Sequence, residues 1–227
     1  MTERKENGGV RHLGGLLILC GLALLVGCLL LLTHNLRYST RAAESSQAVM
    51  TELLEQRPPL RLPEQTMPPL QGGVENPAEP LSPEETPEPT MPTVTVDGYD
   101  YIGSLTFPSL ELELPVMAEW DYTRLNISPC LFSGSYYSND LVICAHNYAR
   151  HFSPLWRIPM GEDVFFTASD GTVYHYVITN RETIQPDDVS GMIDKPDGEA
   201  GDWDLTLFTC YFGGQTRCAV RCVRVDG

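Results

Sequence analysis

The sequence predicts an all-β domain, built as a barrel or a sandwich, that follows a single membrane-spanning helix. Two observations support this prediction. From residue 94 onward, short segments alternate apolar and polar residues and are separated by turn residues, with no long amphipathic helix among them. Near the N-terminus, the 20 residues 13–32 carry no charge, which is enough helix to cross a hydrocarbon core of about 30 Å.

The apolar run determines the predicted topology. Residues 13–33 are predicted to be a transmembrane helix. Three basic residues precede the apolar run and two follow it, so residues 1–12 are predicted to be a cytoplasmic N-terminus. A cleaved signal peptide is disfavoured, since Thr33, His34 and Asn35 do not form a small-residue cleavage site. The segment ending at Cys28 looks like a lipoprotein processing site, but the four leucines after it argue against processing. We therefore expect a single-pass protein of the cell membrane with an extracytoplasmic C-terminal domain.

Two segments connect the predicted span to the folded domain. Residues 34–57 are good helix formers without Gly or Pro, so we expect a juxtamembrane helix that continues outward as a short stalk. Residues 58–93 hold 11 of the 18 prolines and many glutamates. Such a segment cannot bury a core and is predicted to be an extended linker. The folded domain is then expected over residues 94–227.

This domain contains a series of predicted strands. Residues 101–110 and 112–117 alternate as half-buried strands do. Residues 140–146 are apolar at nearly every position, which predicts a buried strand. A hairpin is predicted over 164–168 and 172–179, and a last hairpin lies within 203–225.

The last hairpin brings a cysteine and an arginine together. With Gly213 and Gly214 at the centre of the loop, Cys210 lies opposite Arg217 on one face, with the two Cβ atoms about 5 Å apart. A thiol beside a permanent cation suits acyl transfer, because the cation can stabilise the developing oxyanion. The alternative is that Cys210 is a small core residue and Arg217 a solvated edge residue. Spacing alone leaves both interpretations open.

Charge and cysteine content argue against several functions. The net charge of −15 disfavours nucleic acid as a partner. The seven cysteines form no CxxC pair, so neither a zinc site nor a dense disulfide framework is indicated. Cys218 and Cys222 lie about 13 Å apart along one strand, too far to bridge each other. We expect both to fill the core.

A cysteine nucleophile needs a basic or cationic partner, because a free thiol with a pKa of about 8.5 is mostly protonated at pH 7. His146 ends a predicted buried strand and opens a loop, where a rigid scaffold presents side chains to a cleft. The alternative is an ordinary histidine at a strand end. His151 lies later in the same loop and is the competing candidate. His12 and His34 flank the predicted span, and His175 lies inside a strand, where packing is expected.

Three short motifs occur in order along residues 99–225. Residues 102–110 fit an opening strand of the type IGxLxIPSL. Residues 145–147, AHN, match a GHN-type histidine motif with Ala145 replacing glycine, and residues 206–210, TLFTC, match the pattern TLxTC. Together with Arg217 at the start of RCAVRC, these motifs resemble the sortase family of Gram-positive cell-surface transpeptidases. The resemblance implies a closed β-barrel of about eight strands with short helices and loops, behind an N-terminal membrane anchor.

The resemblance also implies roles for individual residues. Cys210 would be the nucleophile, His146 its acid/base partner, and Arg217 the group that positions substrate and stabilises the oxyanion. Arg221 has the same parity as Arg217 but lies about 13 Å further along the strand, so Arg217 is preferred. Cys144 shares the face of His146 and is expected to pack inertly, with a redox partnership to Cys210 as the alternative.

The implied reaction is transpeptidation. Cys210 would attack a carbonyl in the C-terminal sorting motif of a secreted protein and form a thioacyl enzyme. An amine of a peptidoglycan precursor or a pilin lysine would then accept the acyl group. The chemistry requires no cofactor. Relatives bind calcium in some cases, but without an EF-hand-type loop a solvated acidic surface is the better interpretation of the four candidate ligands, Asp187, Asp188, Glu199 and Asp202.

Two other functions stay open at this point. A cysteine peptidase would release the same acyl group to water, and an inactive membrane-tethered β-barrel module would only bind envelope proteins. Within the family, the compact acidic connection 185–201 lacks the long helix expected of class B members. We therefore do not expect class B.

Overall fold

A computed structural model describes residues 7–63, 90–195 and 203–225, with side chains from residue 13 onward except that of Phe212. The chain divides into two compact units, Met1–Arg41 and Ala42–Gly227. Most of the predicted linker (64–89), and the candidate calcium ligands Glu199 and Asp202, lie outside the described residues.

Helix α1 spans Asn7–Gln56, so the apolar run and the following polar segment form one continuous helix. Among the described residues it is the one helix that is long and apolar enough to cross a membrane. The leucines of the apolar run are exposed, which suits a surface that contacts lipid.

Nine strands and two short helices follow in the described part of the chain. The strands are β1 (Val94–Val96), β2 (Tyr99–Phe107), β3 (Leu112–Met117), β4 (Cys130–Ser133), β5 (Leu141–Ala145), β6 (Asp163–Ala168), β7 (Val173–Ile184), β8 (Leu205–Tyr211) and β9 (Thr216–Arg224), and the helices are α2 (Tyr122–Leu125) and α3 (Ser190–Ile193). Strands β2 to β9 close into an eight-stranded barrel in the order β2-β3-β4-β5-β8-β9-β7-β6, with β6 paired back onto β2. The predicted closed all-β barrel is confirmed.

The barrel interior is filled by alternate residues of these strands. Leu205 and Leu207 of β8 belong to the inner apolar cluster, whereas Phe208 belongs to a second cluster on the outer face. The same alternation places Cys218 and Cys222 inside, which confirms their predicted role in the core. Because side chains alternate across a strand, Cys210 lies on the outer face with Phe208.

The end of α1 packs against the barrel instead of forming a free stalk. Five residues of the second unit repeat at helical spacing and are nearly inaccessible to solvent: Ala42, Ser46, Val49, Met50 and Leu53. Val49 and Leu53 belong to the outer apolar cluster. This one-sided stripe of apolar and small residues buries apolar surface, which explains why residues 42–56 dock.

The strands differ from the sequence prediction in three places. Strands β1 and β4, of three and four residues, were not expected. The segment predicted as a strand to residue 110 ends at Phe107 and continues as a 3-10 turn over Pro108–Leu110, because proline fixes φ near −65° and cannot donate to the ladder. Strand β7 runs to Ile184, five residues beyond the expected end.

The connection between β7 and β8 bears on the expected subclass. Within its described part, residues 185–195, the helix is the four-residue α3. The expectation that the protein is not class B stays a prediction.

Candidate active site

Cys210 lies near the end of β8, half-buried on the outer face of the barrel. The turn between β8 and β9 has Gly213 and Gly214 with φ of +66° and +91°, a left-handed conformation that glycine adopts without steric cost. The resulting register pairs Cys210 with Arg217, as the position of the two glycines predicts. These two side chains therefore share one face at the turn end of the hairpin.

His146 comes to the same end of the sheet through the parallel pairing of β5 with β8. Ala145, the last residue of β5, pairs with Thr209, and His146 and Cys210 each follow by one residue. Neighbouring strands lie about 4.8 Å apart. Strands β5, β8 and β9, which are neighbours in the sheet, thus bring His146, Cys210 and Arg217 to one edge of the barrel. Burial lowers the pKa of His146 below its ordinary value, which favours the neutral imidazole near pH 7.

The Thr209 side chain links β8 to β5 directly before Cys210 and His146. Its hydroxyl is buried and donates a hydrogen bond of 2.8 Å to the carbonyl of Ala145. The sequence predicts no role for this threonine beyond its place in the TLFTC motif. The other threonine of the motif, Thr206, accepts a hydrogen bond of 2.7 Å from Arg221. The motif therefore combines a half-buried cysteine with two buried hydroxyls that hold its surroundings.

Arg221 is held in place by many partners. It is 6% exposed, and its Nε atom lies 2.6 Å from Oε1 of Glu182. It also donates to the carbonyls of Gly191 and Met192 in α3 and lies 5.0 Å from the centroid of the Trp203 ring. These contacts tie the β7–β8 connection to the barrel, so Arg221 has a structural role.

Arg217 has different surroundings. It is half-buried, and its Nη1 atom donates to the carbonyls of Gly214 and Thr216 in the turn, at 3.1 and 3.2 Å. It is paired across the strand with Cys210. The geometry therefore favours Arg217 over Arg221 as the arginine beside the thiol, while its catalytic role stays a prediction.

Cys144 is a second thiol close to this site. It is 5% exposed and belongs to the outer cluster, and its Sγ atom donates to the carbonyl of Cys130 at 3.6 Å. Burial raises the pKa of Cys144 to about 12, and the nearby charge of Cys210 acts in the same direction. A thiol with such a pKa stays protonated at pH 7 and is a poor nucleophile, which favours the packing role.

The other histidines of the barrel domain, His151 and His175, have different surroundings from His146. His151 is completely buried, and burial, followed by the neighbouring His146, lowers its pKa to about 4. Its Nε2 atom lies 3.3 Å from Oγ of Ser46. His175 contacts Asp163 at 2.7 Å and stacks on Phe165.

One of the candidate calcium ligands, Asp188, has other partners. Oδ1 of Asp188 accepts hydrogen bonds from the hydroxyl of Ser190 and the amide of Gly191, at 3.1 and 2.9 Å. Within residues 7–63, 90–195 and 203–225, no three His, Cys, Asp or Glu side chains converge as a metal site would require.

A family model described as a sortase domain matches residues 105–225. Similar solved structures include sortase A from Corynebacterium diphtheriae, with 22% identity and a TM-score of 0.47 over 57% of this chain and 62% of that chain. SortaseC1 from Streptococcus suis has 25% identity and a TM-score of 0.46 over 55% of this chain and 73% of that chain.

A third similar structure is Clostridium perfringens sortase C with the C-terminal cell wall sorting motif. It has 21% identity and a TM-score of 0.47 over 56% of this chain and 72% of that chain. A search of curated protein sequences finds no match.

Proposed function

The chain belongs to the sortase family, and on that premise we propose that it is a membrane-anchored cysteine transpeptidase with Cys210 as its nucleophile. The observation that carries the proposal is the register of β5, β8 and β9, in which Cys210 pairs with Arg217 and follows the Ala145–Thr209 pair that precedes His146. A nucleophile, a titratable imidazole and a fixed cation are the groups that acyl transfer through a thioester uses.

In the first half of the reaction, the neutral imidazole of His146 takes the proton of the Cys210 thiol, and the resulting thiolate attacks a backbone carbonyl of the substrate. The developing oxyanion is stabilised by the guanidinium of Arg217. The carbon–nitrogen bond of the scissile amide then breaks. His146 gives a proton to the leaving amine, and the acyl group stays on Cys210 as a thioester.

In the second half, an acceptor amine attacks the thioester carbonyl. His146 takes a proton from that amine, a new amide bond forms, and the Cys210 thiolate is released. Thr209 contributes by holding β5 to β8 next to the two reacting residues, since its hydroxyl is bonded to Ala145. The reaction conserves one amide bond and needs neither metal nor redox cofactor.

We assign the substrates by family. The donor would be a secreted protein with a C-terminal sorting signal, and the acceptor an amine of a peptidoglycan precursor or a pilin lysine. The long apolar helix α1 supports an anchor in the cell membrane, with residues 1–12 cytoplasmic and the barrel on the other side. On this assignment, residues 58–93 link the docked end of α1 to the barrel domain at 94–227.

The proposal is tested with the full-length protein in detergent micelles. Peptides copied from the C-termini of secreted proteins encoded beside this chain are incubated alone, with an α-amine acceptor, and with a lysine side-chain acceptor. We expect an amide product with one of the acceptors and none from Cys210→Ala. Equal hydrolysis with and without acceptors would indicate a peptidase instead. If surface attachment of those proteins in cells were unchanged in Cys210→Ala, the barrel would be a binding module.

A further inference from the structure

The docked end of α1 makes a buried polar contact with the loop that carries His146. Ser46 is 2% exposed and His151 is completely buried, and Oγ of Ser46 lies 3.3 Å from Nε2 of His151. The two residues are 105 positions apart in the chain. Buried polar contacts of this kind hold one geometry, because breaking them leaves unsatisfied groups without water.

The hydrogen-bond partners of Ser46 determine which nitrogen of His151 carries the proton. The single hydroxyl hydrogen of Ser46 is donated to the carbonyl of Ile127 at 2.8 Å. The contact with His151 must then be an N–H of the imidazole donating to Oγ, since a hydroxyl offers one donor and two acceptor positions. Nε2 of His151 therefore carries a proton. Because burial lowers the pKa of His151 to about 4, the ring near pH 7 is the neutral tautomer protonated at Nε2.

His151 is in turn connected to His146, the proposed acid/base residue. The ring of Tyr148 packs near both histidines, with its centroid 5.5 Å from that of His151 and 4.9 Å from that of His146. Two backbone hydrogen bonds close the same loop, from the amide of His151 to the carbonyl of Tyr148 and from the amide of Phe152 to the carbonyl of His146. Phe152 itself is buried in the barrel interior.

We propose that Ser46 and His151 are positioning residues that lock the loop 146–152 and so hold the His146 imidazole at the reactive edge of the barrel. The proposal rests on the proposed function, because it gives the loop a catalytic purpose only if His146 takes part in the reaction. The end of α1 then has a second role beside docking, since its Ser46 is one partner of the hydrogen bond that holds the loop. Neither residue touches the substrate in this proposal.

The structure offers matched variants for the test. Ser46→Ala removes the hydroxyl. Thr51→Ala is the control, because the Thr51 hydroxyl lies exposed on the same helix and bonds only the carbonyl of Gln47 among the hydrogen bonds described. His151→Gln places an amide N–H near the position of Nε2, whereas His151→Asn cannot reach it. The pair of amide variants separates the Nε2 donor from the loss of the ring.

Two readouts are measured on the full-length protein in detergent micelles. The first is kcat and KM for a sorting-motif peptide with an amine acceptor. We expect Ser46→Ala and His151→Asn to lower kcat about tenfold, the scale of one lost hydrogen bond, with KM changed less than about twofold. We expect His151→Gln to keep more of the activity than His151→Asn, and Thr51→Ala to match the wild type.

The second readout is hydrogen exchange of the amides of His151 and Phe152, which needs no substrate. We expect about tenfold faster exchange at both amides in Ser46→Ala, from the same lost hydrogen bond. Equal exchange in Ser46→Ala and Thr51→Ala, or equal kcat in the Gln and Asn variants, would overturn the proposal. A wild type without turnover would instead refute the proposed function, and exchange would still show whether the loop is locked.

Discussion

Arg217 and Arg221 lie on the same face of β9, and their surroundings separate their roles. Arg221 is buried by Glu182, α3 and Trp203, while Arg217 contacts only turn carbonyls among the hydrogen bonds described for it. A buried, multiply bonded guanidinium cannot reorient toward a substrate without leaving its partners unsatisfied. The arginine with weaker structural ties is therefore the one available for chemistry.

Replacing each arginine by alanine should give opposite results. We expect Arg217→Ala to lower kcat/KM by about 10²–10³-fold, the loss typical of one oxyanion donor, with little change in the free energy of unfolding. Arg221→Ala should instead lower the free energy of unfolding by about 2 kcal/mol, because several charge-assisted hydrogen bonds are lost. Turnover assays measure kcat/KM, and urea unfolding measures the free energy of unfolding, for both variants. If Arg221→Ala impaired turnover more than Arg217→Ala at equal stability, the assignment would be wrong.

We expect the buried His151 to make the fold less stable in acid. Its pKa is lowered to about 4 in the folded protein by burial, so between pH 6.5 and 4 the unfolded chain binds a proton that the folded chain does not. Stability from this residue is present above pH 6.5 and is lost as the pH falls toward 4, by up to about 3 kcal/mol.

Urea unfolding of the wild type and His151→Gln at pH 7 and pH 4.5 measures this effect. Carboxylates such as Asp170, whose pKa is lowered by hydrogen bonds to Thr172 and by Arg61 despite opposing burial, contribute equally to both proteins and cancel in the comparison. We expect the variant to lose less stability on acidification than the wild type. Equal losses in the two proteins would contradict a buried, neutral His151.

Some of these residue contacts follow from sequence and others do not. The Cys210–Arg217 pairing follows from two glycines and the alternation of a hairpin, because the partners are seven residues apart and local turn geometry determines their register. The Ser46–His151 contact joins residues on a helix and a loop that no periodicity relates. Such a pairing depends on how elements pack, so the sequence indicates His151 only as a competitor of His146.

Among the elements, the parallel pair of β5 and β8 is the one that assembles the site. The two strands are separated by about 60 residues, and their register brings His146 beside Cys210. Thr209 reinforces the pairing at its end through its bond to Ala145. The site therefore depends on this end of the pair staying closed.

Removing the Thr209 hydroxyl tests that dependence. We expect Thr209→Val, which keeps the shape, to lower the free energy of unfolding by about 1 kcal/mol and to lower kcat severalfold, because the carbonyl of Ala145 loses its donor. Thr209→Ser keeps the hydroxyl and should retain more activity than the valine variant. Equal activity of the two variants would show that the bond has no influence on the site.

Long strands with clear alternation were predicted, and short or polar ones were not. Strand β4 has four residues and offers too few positions for a pattern. The last part of β7 carries exposed polar residues and is extended because it pairs with β9. In both places a neighbouring strand, not the local sequence, determines the conformation.

At the scale of the whole molecule, closure of the barrel depends on the pairing of β2 with β6. Residues 59 to 65 positions apart along the chain meet there, which alternation alone cannot predict. From the residues themselves the sequence supported a barrel or a sandwich equally, and the choice of a closed barrel came from the family resemblance. The helix, in contrast, was predictable from 20 uncharged residues.

The two compact units predict different effects of truncation. A chain that begins at Ala42 keeps the docked residues Ser46, Val49 and Leu53, so we expect a folded domain that no longer sediments with membranes. A chain that begins at Pro58 loses them and exposes part of the outer apolar cluster, and we expect lower stability. Membrane fractionation and thermal unfolding compare the two. Equal melting temperatures would show that docking contributes nothing to the fold.

The central claim is that Cys210 forms a covalent acyl intermediate. The full-length protein is mixed with a sorting-motif peptide, quenched with acid and digested, and the peptide that carries Cys210 is examined by mass spectrometry. We predict an added acyl mass on Cys210 that disappears when an amine acceptor is supplied and is absent in Cys210→Ala. An adduct on another cysteine, or turnover by the Cys210→Ala variant, would contradict the proposed mechanism.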